Sequence, residues 1–391
     1  MVLTKRQEEG LKIAIARYNN NEAYTCIAGY AGTGKSTLIN FIVEALDIDP
    51  IEIAYITYTG KAASVLRHKN CPNAMTAHKL LYKSRPMPDG KFMYIPKDYL
   101  EEDYKLIVVD EVSMLPKTLW DLLLSHKVHV LACGDPFQIP PIDKDSDNHI
   151  LDNPHIFLDE IMRQAAESEI IRVSMDIRNG KPLNYFKGNE VQIIRNEEVV
   201  DGMYDWADQI LVATNAKRQV INDFMRQSKG YDALPQIGDK VIALRNCWDT
   251  FDINGEMALV NGTIGYITDK KLEYREYPLY RFPQVPILKS QIETPEGETF
   301  KAIACDYTAL KTGKKFLTPQ QEYQIIRRRD LKGSEPIEFN YGYAITTHRA
   351  QGSQWNKVLV YEEQFPFNRE EHARHLYTGV TRAAEKLVLV R

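Results

Sequence analysis

The segment GYAGTGKST at 29–37 has the residue types and the spacing of a loop that binds phosphate groups. Gly29, Gly34, Lys35 and Ser36 fulfil the pattern G-x-x-x-x-G-K-S/T. In such a loop the glycines let backbone N–H groups point at a phosphate, and the next helix adds its positive N-terminal end. The lysine would reach the β- and γ-phosphates of ATP, while the serine hydroxyl would bind Mg²⁺. The other residues of this predicted ATP-binding loop are Gly32, Thr33 and Thr37.

Two further segments end apolar runs with the polar side chains that triphosphate hydrolysis requires. In VVDEVSM at 108–114, Asp110 is placed to hold Mg²⁺ through water and Glu111 to polarise the attacking water. In the loop GDPFQIPP, Gln138 could hydrogen-bond the γ-phosphate or that water. Because ligands bind at the carboxyl ends of parallel strands, we expect both segments beside the phosphate loop. Solvated acids at a strand end and a proline-stiffened surface turn are the alternatives.

Short apolar runs alternating with helical patterns predict that these segments belong to a parallel α/β fold. Before the loop, Thr4-x-x-Gln7 is a capping box that opens a helix. The later strands are predicted at 51–57, 105–110, 128–135, 207–215, 357–363 and 386–391, with a helix at 218–227. Because the series restarts after a break, we expect two α/β domains, at 1–185 and 186–391.

Two stretches interrupt the α/β pattern. Residues 82–98 contain a Pro88-Asp89-Gly90 turn between short runs, which predicts a hairpin inserted at about 82–100. It carries basic and aromatic residues, which suits single-stranded nucleic acid, although the aromatic residues could equally anchor it to the core. Residues 264–335 contain short β runs and turn signals, which predict an inserted small β-barrel. The basic run at 327–329 is either a solvated cluster or a track for a nucleic-acid strand.

Composition narrows the class of protein. A chain of 391 residues that is 44% hydrophobic and 26% charged is typical of a globular protein with a sizeable core. The net charge of −4 provides no global basic field, so any nucleic-acid surface must be a local groove. The five cysteines lie far apart without a C-x-x-C pair, which predicts reduced thiols. Without an apolar run long enough to span a bilayer or a targeting signal, we expect a cytoplasmic protein without a membrane partner.

The motif series resembles superfamily 1 helicases, specifically subfamily 1B and its RecD/Dda-like branch. The matching segments, in the order of that family, are Gln7, GYAGTGKST, ITYTGKAA at 56–63, MTAHKLL at 75–81, VVDEVSM, LDEIMRQ at 158–164, ATNAKRQVIN at 213–222, YAITTHRAQGSQ at 343–354 and LYTGVTRA at 376–383. The resemblance implies that Gln7 reads adenine and that Arg163 points at the γ-phosphate. It also implies that Arg382 is a second arginine finger and that Gly352 belongs to the nucleotide site.

The same resemblance implies contacts to single-stranded DNA. On the first domain these residues are Thr57, Tyr58, Thr59, Thr76 and His78, with proline more usual at the position of Tyr58. On the second domain they are Asn215, Thr346, His348 and Ser353. The family has a strand-splitting pin in the interval of the hairpin, where Phe92 and Tyr94 are the candidate contacts. Hydroxyl and amide groups that touch the phosphodiester backbone carry no base information, so binding would be independent of base sequence.

The resemblance thus implies two RecA-like P-loop motor domains with an inserted pin and an inserted SH3-like barrel. It implies an ATP-hydrolysing, Mg²⁺-dependent DNA helicase that moves 5′ to 3′ on single-stranded DNA and opens forks. We expect a monomer that serves replication, recombination or repair, with a single-strand-binding or replication protein as a possible partner. The alternatives are a translocase that displaces proteins or acts on RNA, and a nucleotide-switched single-strand-binding protein.

Overall fold

A computed structural model of the chain describes residues 3–69, 71, 73–87, 92–140, 148–162, 167–255, 257–331, 333–364 and 368–391. The chain forms two compact units. The first comprises Met1–Leu81, Pro96–Asn215 and Ile345–Arg391, and the second comprises Tyr82–Ile95 and Ala216–Ala344.

The helices are α1 (Lys5–Asn19), α2 (Lys35–Leu46), α3 (Gly60–His68), α4 (Ala77–Leu81), α5 (Lys117–Ser125), α6 (Glu169–Arg178), α7 (Asp201–Trp206), α8 (Asn215–Ser228), α9 (Tyr307–Thr312), α10 (Pro319–Ile326), α11 (Thr347–Ala350) and α12 (Arg369–Val380). Short 3₁₀ turns occupy Pro50–Glu52, Val112–Met114 and Asn196–Glu198. Among the described residues, none of these helices has the length and apolar character needed to cross a membrane.

The strands are β1 (Tyr24–Gly29), β2 (Ile53–Thr57), β3 (Ala74–Thr76), β4 (Tyr82–Pro86), β5 (Phe92–Pro96), β6 (Leu106–Val109), β7 (His129–Gly134), β8 (Ile156–Leu158), β9 (Phe186–Lys187), β10 (Val191–Ile194), β11 (Gln209–Val212), β12 (Lys240–Ala243), β13 (Cys247–Phe251), β14 (Ala258–Leu259), β15 (Ile264–Arg275), β16 (Val285–Glu293), β17 (Thr299–Asp306), β18 (Phe339–Tyr341), β19 (Ala344–Thr346), β20 (Trp355–Tyr361) and β21 (Ala383–Val390).

The first unit contains a parallel sheet in the order β3-β2-β6-β7-β1-β8. Its strands are continuous apolar runs because helices cover both faces, as in parallel sheets generally. Ile27, Leu106 and Leu131 are almost fully buried at its centre, where Leu38 and Ile42 of α2 pack on them. Since β6, β7 and β1 are neighbours, the loops that follow them emerge side by side at one edge.

A second sheet in the first unit has the strand order β19-β11-β20-β21-β10-β9. The pairs β11–β20, β20–β21 and β21–β10 are parallel, and β9 is antiparallel to β10. Strand β10 also has a buried apolar pattern, although the sequence analysis did not predict it. The mixed α/β architecture predicted from the apolar runs is therefore present in both halves of the chain.

The second unit is built on an antiparallel sheet in the order β17-β16-β15-β12-β18. The predicted β interval 264–335 differs from it in two ways. The sheet also recruits β12 and β18 from outside that interval, and residues 307–326 contain the helices α9 and α10. Both helices follow capping residues, because Asp306 accepts from the Ala309 N–H and Thr318 forms a capping box with Gln321.

The predicted hairpin at 82–98 is present as the pair β4–β5 and groups with the second unit. Its predicted turn, Pro88-Asp89-Gly90, and Lys91 lie outside the described residues. The Tyr82 and Tyr94 rings make an edge-to-face contact with centroids 5.7 Å apart. Tyr94 nevertheless remains 49% exposed.

Candidate nucleotide and single-strand sites

The phosphate loop joins β1 to α2 and depends on two glycines with positive φ. Gly32 and Gly34 both have φ of 77°, a left-handed conformation that strains residues with a side chain. A Cβ at position 34 would also lie 2.5 Å from Gln7 Nε2. The Lys35 ammonium folds back over the loop and donates to the carbonyl oxygens of Gly29 and Tyr30, at 2.8 and 3.0 Å. The loop therefore holds its cation at the sheet edge where a phosphate would bind.

Gln7 is buried beneath this loop. Its amide nitrogen lies 3.4 and 3.3 Å from the carbonyl oxygens of Thr33 and Gly34, while its Oε1 accepts from the Thr4 N–H. The capping box predicted at the start of α1 is therefore formed, and the same side chain also supports the loop. Thr33 is buried and its hydroxyl donates to the Tyr30 carbonyl, whereas Ser36 is exposed and available to a metal ion.

The two acids lie immediately past the end of β6. Asp110 accepts the Glu111 N–H on Oδ1 at 3.1 Å. Glu111 has φ 56° and ψ 48°, a left-handed conformation that is costly for a residue with a side chain. Such local strain is often found at functional sites. The Glu111 carboxylate lies within hydrogen-bonding distance of Gln138 in the next loop.

Gln138 lies between Glu111 and Arg382 and hydrogen-bonds both side chains. With its amide oriented so that donors meet acceptors, its nitrogen donates to Glu111 Oε2 at 2.9 Å. Its oxygen accepts from Arg382 Nη2 at 3.2 Å. Arg382 is buried at the end of α12, where its guanidinium also donates to the Thr378 and Ser353 carbonyl oxygens. Three of the predicted catalytic side chains thus form one hydrogen-bonded series.

The charges around Glu111 shift its pKa. Desolvation raises the pKa of this carboxyl above its ordinary value, and the nearby carboxylates of Asp110 and Asp135 raise it further. Arg382 and Lys35 oppose that shift because their positive charges favour the carboxylate. A base with a raised pKa accepts a proton more readily, which suits the activation of water.

Tyr377 and Asp135 are site residues to which the sequence analysis gave no role. The buried Tyr377 hydroxyl accepts the Ala31 N–H of the phosphate loop at 2.9 Å and donates to Asp135 Oδ2 at 2.6 Å. Asp135 also accepts the Phe137 N–H, which fixes the start of the Gln138 loop. Tyr377 lies on α12 five residues before Arg382, so its place in LYTGVTRA was a usable signal.

Residues of α12 and of the segment after α11 hold the loop that carries Gln138. The Thr378 hydroxyl accepts the Ile139 N–H at 3.1 Å, and the Gln351 amide donates to the Ile139 carbonyl at 2.9 Å. Arg374 donates to the Pro136 carbonyl at 2.9 Å. The Gln138 loop is therefore tied to α12 and to the segment after α11 by direct hydrogen bonds.

The donors present at this edge fit a magnesium ion. A carboxylate on Asp110 and a hydroxyl on Ser36 are hard oxygen ligands, and Mg²⁺ combines few such ligands with water and substrate phosphates. Thr37 is half-buried in the first turn of α2. Arg163, predicted to contact the γ-phosphate, lies outside the described residues, but the adjacent Met162 N–H donates to the Gly32 carbonyl at 3.0 Å.

The predicted strand-binding residues of the first half cluster at the ends of β2 and β3. The Thr57 hydroxyl donates to the Thr59 carbonyl, and Thr59 caps α3 by accepting the Ala62 N–H. Thr76 is buried and accepts the Lys79 N–H. The rings of Tyr58 and His78 lie 5.8 Å apart, and burial lowers the pKa of His78. The threonine side chains thus shape the two loops, while the Tyr58 and His78 rings contact each other.

The residues predicted for the second half lie around β19 and α11. Thr346 and Ser353 are buried, and His348 is half-buried with its ring 5.7 Å from that of His375. Asn215 is exposed at the start of α8. The Phe92 side chain lies outside the described residues.

Gly352, which is predicted to belong to the nucleotide site, lies against the start of α3. A Cβ at position 352 would lie 2.8 Å from Ala62 Cβ and 3.5 Å from Thr59 Oγ1. Its φ of 74° also favours glycine. The segment after α11 is therefore in direct contact with the start of α3.

Comparison with known proteins agrees with this arrangement. The profile of a family described as an AAA domain matches residues 3–201, just over half of the chain. A second profile, described as a UvrD-like helicase C-terminal domain, matches residues 341–390. Together the two profiles include the phosphate loop, both acids, Gln138 and Arg382.

Two curated relatives align along nearly all of the chain. The ATP-dependent RecD2 DNA helicase of Deinococcus radiodurans is 26% identical over 381 residues, which cover 92% of this chain and 46% of that protein. The ATP-dependent DNA helicase dda of Enterobacteria phage T4 is 23% identical, with 97% of both chains covered. The chain therefore spans about half the length of the first relative and almost all of the second.

Among solved structures, the Pif1 helicase from Bacteroides in complex with ADP-AlF3 and single-stranded DNA has the same fold. The TM-score is 0.55 at 17% sequence identity, with 100% of this chain and 92% of that chain covered. At this identity the likeness concerns the fold alone, and it confirms a RecA-like helicase fold.

Proposed function

Because the chain belongs to the superfamily 1B helicases of the RecD, Dda and Pif1 type, we propose that it is an ATP-dependent DNA helicase. The observation that carries this proposal is the series Glu111–Gln138–Arg382, which lies at the same sheet edge as the Lys35 loop. A nucleotide-binding protein that only switched between states would not need a strained base and a buried arginine in one site.

The side chains divide the hydrolysis of ATP between them. Lys35 leaves its two carbonyl partners to bind the β- and γ-phosphates, and Glu111 orients the attacking water and takes its proton. Arg382, joined by Arg163, stabilises the negative charge that develops on the transferred phosphoryl group. Gln138 reports whether the γ-phosphate is present, because it hydrogen-bonds both the base and the arginine. Ser36 and Asp110 would hold Mg²⁺, which when bound neutralises phosphate charge, and Gln7 would contact adenine.

Hydrolysis becomes movement when two strand-gripping surfaces change their spacing. We propose Thr57, Tyr58, Thr59, Thr76 and His78 for one surface, and Asn215, Thr346, His348 and Ser353 for the other. The hydrogen bond from the Gln351 amide to the Ile139 carbonyl supports this coupling, since it joins the Gln138 loop to the segment that carries Thr346, His348 and Ser353. The direction, 5′ to 3′ on single-stranded DNA, rests on the resemblance to the RecD/Dda branch.

We propose that the β4–β5 hairpin is the pin that separates the strands. Tyr94 and its neighbours Met93 and Ile95 are each more than 40% exposed, which suits stacking on a base at a junction. Replacing Phe92 and Tyr94 by alanine should spare DNA-stimulated ATPase and reduce unwinding severalfold. Tyr99→Ala, at another exposed tyrosine, is the matched control. Unchanged unwinding by the double variant would show that the hairpin does not act as the pin.

We also propose that the antiparallel sheet of the second unit is an SH3-like barrel. Its edge strand β17 is bridged to Ile337, just before the opposite edge strand β18, by hydrogen bonds through Asp306 and Ala304. That bridge brings the two edges of the sheet together. Arg328 is paired with Asp330 and the Pro278 carbonyl, so Arg327 and Arg329 are the better candidates for a strand contact.

Because all five cysteines are free thiols, we propose the cytoplasm as the location.

The decisive experiment measures ATP-dependent opening of partial duplexes with either a 5′ or a 3′ single-stranded tail. We expect opening of the 5′-tailed substrate alone, and loss of opening in Lys35→Ala. Exclusive opening of the 3′-tailed substrate would retain the motor and overturn the direction. DNA-stimulated ATPase without any opening would favour a protein-displacing translocase, and stimulation by RNA alone would favour an RNA substrate.

A further inference from the structure

Cys133 lies beside the carboxylate that is placed to bind magnesium. Strands β6 and β7 pair in parallel with Val109 opposite Ala132, so the next residues, Asp110 and Cys133, are also neighbours. The Cys133 side chain is buried at 1% exposure, and its Sγ lies 3.2 Å from Asp110 Oδ1. A thiol at this distance from a carboxylate oxygen can only donate its hydrogen, because the carboxylate has none to give.

The contact is confined to one of the two carboxylate oxygens. Asp110 Oδ1 accepts from both the Cys133 thiol and the Glu111 N–H. Within the part of the chain that the structure describes, neither of these donors binds Oδ2. Two donors on one oxygen fix the rotation of the carboxylate about its Cβ–Cγ bond. We infer that Cys133 is a positioning residue that holds the Asp110 carboxylate in one orientation for the magnesium of the proposed ATP site.

A packing role predicts different chemistry at the same position. A buried strand residue that only fills space would be replaced well by valine, which is apolar and of similar size. Valine would place methyl groups against a carboxylate oxygen, leaving that oxygen with one donor fewer. Serine would restore a donor but fill the space less well. A positioning role therefore predicts that the serine variant keeps more of the Mg²⁺-dependent affinity than the valine variant. A packing role predicts the opposite order.

The inference rests on the proposed nucleotide site but not on unwinding, and binding can test it without turnover. We would measure the dissociation constant of ADP by calorimetry, in EDTA and in saturating MgCl₂, for the wild-type protein, Cys133→Val and Cys133→Ser. The measured quantity is the ratio of the two constants, which isolates the contribution of Mg²⁺. Groups that orient a metal ligand typically alter metal affinity by about 10- to 100-fold.

We expect Cys133→Val to reduce the Mg²⁺-dependent gain in ADP affinity about tenfold, with ADP affinity in EDTA unchanged. Cys133→Ser should retain most of the gain. Cys26→Val is the matched control, because Cys26 is also buried in a strand but its thiol donates to the Ile150 carbonyl. It should leave the ratio unchanged.

A full Mg²⁺ effect in Cys133→Val, or equal losses in the valine and serine variants, would overturn the positioning role. If wild-type protein failed to bind ADP under either condition, the proposed nucleotide site itself would be wrong. If ADP bound normally and tailed duplexes were not opened, the proposed helicase activity would fail while the role of Cys133 stood.

Discussion

The two α/β sheets of the first unit use their carboxyl edges in opposite ways. After β1, the Ala31 N–H of the phosphate loop donates to a neutral group, the Tyr377 hydroxyl. After β11, the N–H groups of Ala213 and Thr214 donate to Glu363 Oε2, and the Thr214 hydroxyl donates to Oε1 at 2.7 Å. The loop N–H at the first edge is bound by the Tyr377 hydroxyl, which a phosphate can displace. The loop N–H groups at the second edge are bound by the Glu363 carboxylate.

Under the proposed function, this difference divides the roles of the two sheets. The first edge is prepared for an external anion by Lys35 and by the positive end of α2. At the second edge, the chain's own Glu363 takes the place of an anion. The second sheet instead contributes through α12, whose end delivers Arg382 and Tyr377 to the first edge. Under the proposed function, the first sheet therefore binds the nucleotide and the segment after α12 supplies Arg382.

The largest effect should come from removing the base at the first edge. Glu111→Gln should lower ATP turnover by roughly 10³- to 10⁴-fold while ATP still binds, because the amide cannot accept the water's proton. Steady-state phosphate release and equilibrium binding of a nucleotide measure the two properties. Glu9→Gln, at an exposed position on α1, is the matched control. Normal turnover by Glu111→Gln would assign the base to another residue.

The raised pKa of Glu111 predicts the pH dependence of the same step. The base must be deprotonated to accept a proton, so turnover falls as pH drops through its pKa. Since desolvation raises that pKa above the ordinary value of 4.5 in the nucleotide-free protein, the acidic fall in kcat/KM should begin at a higher pH than for an unperturbed carboxylate. A pH–rate profile checks this. A profile that stayed flat down to pH 4.5 would contradict the shift.

Removing the cation of the phosphate loop should have the next largest effect. Lys35→Ala should lower ATP turnover by about 10²- to 10³-fold and weaken nucleotide binding, because an electrostatic contact to the phosphates is lost. Lys12→Ala, at an exposed position on α1, should behave like the wild-type protein. Retention of DNA-dependent ATPase by Lys35→Ala would mean that the first edge is not the nucleotide site.

At the second edge the expected effect is on stability rather than catalysis. Glu363→Ala would leave two N–H groups and a hydroxyl without their acceptor and lower the free energy of unfolding by about 2 kcal/mol. Thermal denaturation measures the loss, with the exposed Glu385→Ala as control. Added sulfate should stabilise Glu363→Ala more than the wild-type protein, because an anion can then reach those N–H groups. Equal responses to sulfate would contradict the role given to Glu363.

The smallest effect should come from Tyr377→Phe, which removes one hydroxyl between the two sheets. Without nucleotide, the free energy of unfolding of Tyr377→Phe should be about 1 kcal/mol below that of the wild-type protein, because the Ala31 N–H and Asp135 Oδ2 lose a partner. A bound triphosphate analogue should narrow this deficit, since a phosphate can accept from Ala31. Comparison of the melting temperatures of both proteins with and without the analogue tests this, and Tyr99→Phe serves as control. A deficit that persisted with nucleotide would make the tyrosine purely structural.

Neighbouring residues in the chain determine much of this protein by themselves. The phosphate loop, the acids after β6 and the capping box of α1 could be predicted because each depends on residues that are close in sequence. The α/β order followed from apolar runs for the same reason. The predicted β interval 264–335 is less accurate, because it includes two helices, capped by Asp306 and Thr318, and because β12 and β18 of the same sheet lie outside it.

Tertiary structure alone decided which residues complete the site. Tyr377 meets Ala31 across 346 residues of chain, and Cys133 meets Asp110 because of the register between two strands. No local pattern encodes such contacts, since strand order and register depend on the packing of the whole sheet. The contact of the Glu363 carboxylate with the second edge likewise cannot be predicted from the sequence, because a glutamate after a strand resembles any solvated acid. Sequence thus determined the chemistry of the loops, and packing determined which side chains meet at them.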